Sequence, residues 1–155
     1  MSDRESELKI DFAPLLRELG FQIVELHAAT VKGRVHLDLV IYGADGVAID
    51  DCAAVYKVIM PRAELMLDSR DVALQVASPG TDRTFKDNGE FAVFVDRGVR
   101  VLVSGADDWI GGVVDSVSES DVTLRDGQGR QSIAFADIQK VRLDYSQEVK
   151  RDHGR

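Results

Sequence analysis

VASPGTDRTFKD, residues 76–87, is where one kind of chain gives way to another, and its reading decides the fold. Val76 belongs to an apolar alternation; beyond it Pro79 fixes one backbone angle, Gly80 permits a tight turn, and Asp82 and Arg83 can pair or cap locally. A serine beside Pro-Gly could be a nucleophile on a turn, part of a phosphate-binding loop, or a piece of the joint between two folded units. Each reading requires different company elsewhere in the chain.

Upstream, Leu8, Phe12, Leu15, Leu16 and Leu19 recur at three- and four-residue steps, and Gly20 follows as a stop. This spacing predicts an amphipathic helix over residues 5–19. FQIVELHA then sets Val24, Leu26 and Ala28 on one face, and RVHLDLVIY sets Val35, Leu37, Leu39 and Ile41 on one face. With Lys32-Gly33 as the turn, the two segments read as a β-hairpin with one buried side. After YGADG, the segment IDDCAAVYKVIMPRAELMLD reads as a second helix. There Asp50 is placed to cap the first turn, Asp51 favours the positive end of the dipole, and Pro61 should impose a kink or an early break. DVALQVA is a third strand, with Val72, Leu74 and Val76 inward. Helix, strand, strand, helix, strand is the order of an α+β domain with both helices on one face of the sheet.

Downstream the pattern changes. NGEFAVFVD reads as a short helical turn, followed by GVRVLV, WIGGVVDSV, DVTLRD, RQSIAF and IQKVRLDY, five short strand-like segments separated by Gly, Asp and Ser. Short strands at such spacing point to a small barrel, with Gly111-Gly112 as the place where one strand bends. The tail SQEVKRDHGR is polar and expected to fray. The expected domains are residues 1–83, ending in the SPGTDR connector, and residues 84–155.

Composition narrows the function. With 155 residues, 45% hydrophobic and 30% charged, the chain reads as folded, and no apolar run approaches the ~20 residues of a membrane helix. The N-terminus MSDRESELKI lacks the apolar segment of a signal peptide and Cys52 is the single cysteine, so a cytoplasmic location is expected. The net charge of −8 is spread over both halves: residues 1–77 hold 8 Lys and Arg against 13 Asp and Glu, and residues 78–155 hold 11 against 14. An autonomous nucleic-acid binder usually shows a basic footprint. An acidic chain fits better against the basic proteins of a ribonucleoprotein, aided by a small local basic patch.

Catalysis by Ser78 would need a nearby base, and the three histidines are His27, His36 and His153, two on the polar face of the hairpin and one in the tail. The G-x-S-x-G elbow is missing as well. The hairpin could set His27 opposite His36, but two imidazoles fall short of a metal site, and no metal or cofactor is expected. Cys52 near a helix start could have a lowered pKa, although a small apolar helix residue is the simpler reading. In SPGTDR, Pro79 removes an N–H, there is one glycine, and Asp82 repels an anion, so the loop does not read as a nucleotide cradle. What remains is a shaped connector.

GVAIDDCAAVYKVI, then VASPGTDRTFKD, then EFAVFVDRGVRV together resemble the RimP family of bacterial ribosome maturation factors, whose pattern has an Asp-Asp-Cys helix start, a strand, and a Ser-Pro-Gly-x-Asp-Arg loop. The likeness runs from about Leu15 to Asp144. It implies an N-terminal α-β-β-α-β sandwich of KH-like and ferredoxin-like type and a C-terminal Sm-like or SH3-like barrel. It also implies a non-enzymatic assembly factor that binds the immature 30S small ribosomal subunit and assists its assembly near the decoding centre. The implied partner is a basic small-subunit ribosomal protein with adjacent ribosomal RNA, with no small-molecule substrate and no membrane. By position the family loop falls on Ser78, Pro79, Gly80, Asp82 and Arg83. The family commonly has Leu-Asp-Arg-Pro-Leu where this chain has Thr81-Asp82-Arg83-Thr84-Phe85, so the connector lacks a stiffening proline.

Arg83 and Lys86 are the candidate ribosome contacts, forming a cationic spot beside Asp82. Equally, Arg83 could pair with Asp82 or a helix end and fix the joint. Two rival classes are a stand-alone RNA-binding module that stacks bases on Trp109 and the barrel strands, and a hydrolase using Ser78. Scarce aromatics, at 6%, argue against the first, and no substrate class supports the second.

Overall fold

The structure, a computed structural model, describes residues 3–148. The chain divides into two compact units, Met1–Pro79 and Gly80–Arg155.

In the first unit, helix α1 (Asp3–Glu18) buries Leu8, Phe12 and Leu16, one residue per turn along a single stripe. Its end is set by Gly20, whose φ of 91° is open to glycine, and the Phe21 N–H donates to the Leu16 carbonyl at 2.9 Å. Strands β1 (Gln22–Val31) and β2 (Arg34–Tyr42) form the hairpin, with Lys32 at φ 53° and Gly33 at φ 81° in the turn. Two successive positive φ values give the twist that two-residue hairpins favour. Helix α2 (Ile49–Leu67) carries the chain over to β3 (Val72–Ala77), which pairs parallel to β2, giving the sheet order β1-β2-β3. Leu8, Phe12 and Leu16 of α1 and Val55, Ile59 and Ala63 of α2 share one core with Leu26, Leu37, Leu39, Ile41 and Val72. Both helices therefore cover the same face.

Three local expectations are corrected. The N-cap of α2 is Ala48, and Asp51, not Asp50, supplies the cap: its carboxylate accepts the Ala48 N–H at 2.8 Å. Helix α2 continues past Pro61 to Leu67 rather than breaking there. Pro61 cannot donate to the Lys57 carbonyl, but both residues are exposed and water can. In the hairpin His27 faces Asp38 while His36 faces Ala29, so the imidazoles are not opposite each other. His27 instead turns to Glu5, whose carboxylate lies 3.1 Å from Nδ1 and also accepts the Ala28 N–H at 2.7 Å.

The second unit opens with a 3-10 turn at Asn88–Ala92, capped by Asp87, whose side chain accepts the Gly89 N–H at 2.9 Å. Five strands follow: β4 (Gly98–Val103), β5 (Trp109–Val117), β6 (Asp121–Asp126), β7 (Gly129–Ala134) and β8 (Ile138–Leu143). They pair antiparallel in the order β7-β6-β5-β4-β8. The ladder is open, with β7 and β8 at its two edges, so backbone pairing alone does not close a barrel. The register shift in β5 falls between Val114 and Ser116, beyond the glycine pair. Gly111 and Gly112 serve close approach instead: a Cβ on the first would strike the Gln147 side chain, and one on the second would sit 3.0 Å from the Arg125 carbonyl. The start of the polar tail is also held. The Asp144 carboxylate binds the Ser146 hydroxyl, and Glu148 accepts the Gly98 N–H at 2.8 Å. Residues 149–155, including His153, lie outside the described residues.

Candidate functional site

The connector residues enter the second unit by extending its edge. Ser78, Gly80 and Asp82 are exposed and Pro79 is half-buried. The Arg83 N–H donates back to the Gly80 carbonyl at 3.2 Å, closing a turn. Beyond it Thr84 bridges antiparallel to Arg142, with Leu143 N–H donating to the Arg83 carbonyl at 2.8 Å and Phe85 N–H to the Val141 carbonyl at 2.9 Å. Residues 83–85 thus cover part of the free edge of β8, which would otherwise offer unpaired groups to another chain. Both bridge bonds use N–H groups of Phe85 and Leu143, and the Thr84 N–H takes no part in them. A proline at this position, as in the family pattern, would fit the same bridge, so threonine costs it no hydrogen bond.

Arg83 does not pair with Asp82. Its Nε donates to Glu90 Oε1 at 2.7 Å and its Nη2 to Glu90 Oε2 at 3.1 Å, a two-pronged pair in which the side chains are 11% and 3% exposed. Glu90 Oε2 also accepts the Lys86 N–H at 2.8 Å. One buried carboxylate therefore ties the loop, the backbone at Lys86 and the 3-10 turn together. Asp82 reaches Arg142 at 3.5 Å with most of its side chain in water, a contact of little energetic weight. Under the loop Phe85 stacks on Phe94 at 5.4 Å between ring centroids, meets Phe91 edge-on at 5.1 Å, and Phe91 stacks on Phe135 at 5.9 Å. Such aromatic contacts add roughly 0.5–1.5 kcal/mol each beyond buried area. Lys86 itself is exposed.

Sequence reasoning missed Glu90 and the phenylalanine cluster. Glu90 stands seven residues from Arg83, but the two lie in different elements, a loop and a 3-10 turn, so no single periodic pattern links them. The available signal was a carboxylate beside Phe91 in a segment otherwise apolar.

The remaining charges of the second unit are largely matched among the described residues. Arg97 meets Glu148 at 3.3 Å, Arg130 meets Asp115 at 3.1 Å, and Arg125 holds both Asp96 at 2.9 Å and Asp115 at 3.0 Å. Burial works against the Arg125 charge, but hydrogen bonds to Asp96 and Asp115 outweigh it and raise its pKa. Arginines paired in this way are neutralised locally, which weighs against their forming a basic stripe for a nucleic-acid backbone. Trp109 is half-buried, with the Arg100 guanidinium 5.2 Å from its ring centroid.

No cluster of His, Cys, Asp and Glu side chains able to hold a metal forms among the described residues. The pKa of the Cys52 thiol is pushed up by burial and then by the Asp51 charge, which goes against the alternative of a lowered pKa and leaves the simpler reading of a small helix residue. No helix among the described residues is long and apolar enough to cross a membrane.

Residues 12–82 match the family model described as the RimP N-terminal domain. Among curated proteins, the "Ribosome maturation factor RimP" of Borrelia recurrentis (strain A1) is 21% identical over 125 residues, covering 81% of this chain and 85% of that protein.

Proposed function

We propose, since the chain belongs to the RimP family, that it is a ribosome maturation factor acting in assembly of the 30S small ribosomal subunit, without catalysing a reaction. The observation that carries the reading is the family match over the α+β unit and the connector, together with a relative so named that aligns with most of the chain. In this reading the protein binds the immature subunit near the decoding centre, against a basic small-subunit protein and adjacent ribosomal RNA, and leaves the mature particle. The acidic balance supports docking on basic protein, since an autonomous RNA binder needs a basic footprint. Its place of action is the cytoplasm.

The finer fold assignments belong to the same proposal. We read the first unit as a KH-like and ferredoxin-like sandwich, on the strength of its three-stranded sheet covered by two helices. We read the second as Sm-like, on the order β7-β6-β5-β4-β8 preceded by a short helical turn. Ser78, Pro79 and Gly80 are the joint between the two parts. Arg83 then shapes the segment that follows through Glu90, while Lys86, exposed beside it, is the contact residue.

The test is genetic and physical together. In cells lacking the protein, immature small subunits should accumulate, and the wild-type chain should restore the mature profile on a sucrose gradient. A normal subunit profile in its absence would refute the assignment. Lys86→Glu should reduce binding to immature subunits while the variant remains folded, and unaltered binding would remove Lys86 from the interface.

A further inference from the structure

Helix α1 carries a second stripe. Ile10, Ala13 and Arg17 recur at three- and four-residue steps, on a different flank from the buried Leu8, Phe12 and Leu16. With Lys9 they face Phe21 and Ile23 across a groove of about 620 Å³. Ile10 is 74% exposed, so the apolar part of the groove is open to solvent.

The groove runs along the free edge of the first sheet. Strand β1 is an edge strand, and α1 closes only its far half, where Glu5 accepts the Ala28 N–H at 2.7 Å and Arg4 donates to the Thr30 hydroxyl at 3.2 Å. The Ala28 N–H therefore points away from β2. Ile23 is paired with Ile41 as Ala28 is with Leu37, so antiparallel alternation sends its N–H and C=O to the same outer side. There they meet no partner among the described residues. Unpaired groups on a strand edge are a template for another strand, and the register shift between Ile23 and Glu25 restricts an added one to a few residues.

Charge selects the occupant. No carboxylate is among the described residues that line the groove, while Lys9 and Arg17 border it and make no ion pair or side-chain hydrogen bond among the described residues. Eight helical residues separate these two cations by about 12 Å along the axis, the length of about four residues of extended chain. In a strand, residues i, i+2 and i+4 face one side, so two acids four residues apart meet both cations while the residue midway falls on Ile10 and Ala13. A second copy of this chain would set Lys9 and Arg17 against their own likes. An RNA strand would leave Ile10 and Ala13 without an apolar contact.

We propose that this groove takes a short extended segment of another protein, added to the edge of β1, with acidic residues four apart and an apolar residue midway. The site is separate from the connector and independent of the basic partner in the ribosomal reading.

The full chain is titrated, by fluorescence anisotropy, with a labelled Ser-Glu-Thr-Ile-Thr-Glu-Ser peptide. Comparison ligands are the same peptide with lysine for glutamate, the acidic peptide with its backbone amides N-methylated, and a uridine hexanucleotide. The acidic peptide should bind saturably and weaken with salt, and the two altered peptides should bind at least about tenfold more weakly. Ile10→Gln, at an exposed position, should raise the Kd of the acidic peptide about tenfold through the lost apolar contact. Lys9→Glu with Arg17→Glu should reverse the preference, toward the lysine peptide. A flat titration, equal binding of the lysine or methylated peptide, an unaltered Kd in folded Ile10→Gln, no reversal in the double variant, or tighter binding of the hexanucleotide would overturn the proposal. So would sedimentation showing a dimer that Ile10→Gln dissolves, because the groove would then belong to a second copy.

Discussion

Replacing Arg83 by alanine strands the Glu90 carboxylate, 3% exposed, without its two-pronged partner. Removing one member of a buried ion pair costs about 3–5 kcal/mol, because the remaining charge stays desolvated. Exposure of 11% on the arginine side argues for the lower end, about 3 kcal/mol. For a unit of this size each kcal/mol shifts the melting temperature by about 4–8 °C, so the loss corresponds to at least about 12 °C. Differential scanning calorimetry on the full chain should show the transition of the second unit moving down by that amount while the first stays in place. The double variant Arg83→Ala with Glu90→Ala should lose less than the two single losses summed, with a coupling above about 1.5 kcal/mol. A shift below about 4 °C, or strict additivity, would refute the claim that this pair holds the loop segment in place.

Other consequences follow the same geometry. Gly98→Ala should destabilise the second unit by about 2–3 kcal/mol, since the new methyl meets the rigid Asp144 carbonyl, whereas Gly111→Ala should cost less because the Gln147 side chain can move; urea midpoints compare them. Asp51→Ala should cost about 1 kcal/mol through the lost cap at Ala48 while Asp50→Ala stays within about 0.5, again by urea unfolding. Asp11 is held below its ordinary pKa chiefly by its hydrogen bond from Arg62, which outweighs burial. A lowered folded pKa means that this stabilisation is complete above the unfolded carboxylate value and disappears as pH falls through the folded one. The stability difference between wild type and Arg62→Ala should therefore be constant at neutral pH and vanish in acid, read from urea midpoints across a pH series.

The regular elements were legible because their signals are local and repeated. One buried residue per turn marks α1, and Lys32-Gly33 marks the hairpin with both residues at positive φ. That turn also contained the answer to the histidine question: with Val31 paired to Arg34, counting back four residues sets His27 against Asp38. Two adjacent acids at the start of α2 could not be told apart, since the capping role depends on whether the helix begins at Ile49 or two residues later. Pro61 did not end the helix because its cost falls on a carbonyl, and an exposed carbonyl can be met by water. In the connector the turn at Gly80 was readable, but the partner of Arg83 was not. Both Asp82 and Glu90 are carboxylates within reach in sequence, and only packing of Phe85, Phe91 and Phe94 decides which is buried. Whether the downstream strands close on themselves depends on how the edges meet in space, which short alternating segments do not encode.

The central claim is tested most directly by co-sedimenting the purified chain with immature small subunits, mature small subunits and naked ribosomal RNA across a salt series. The account predicts preference for the immature particle, with weak binding to bare RNA at every salt concentration. Equal binding to naked RNA that falls steeply with salt would contradict it, and would make the chain a general RNA binder despite its acidic balance.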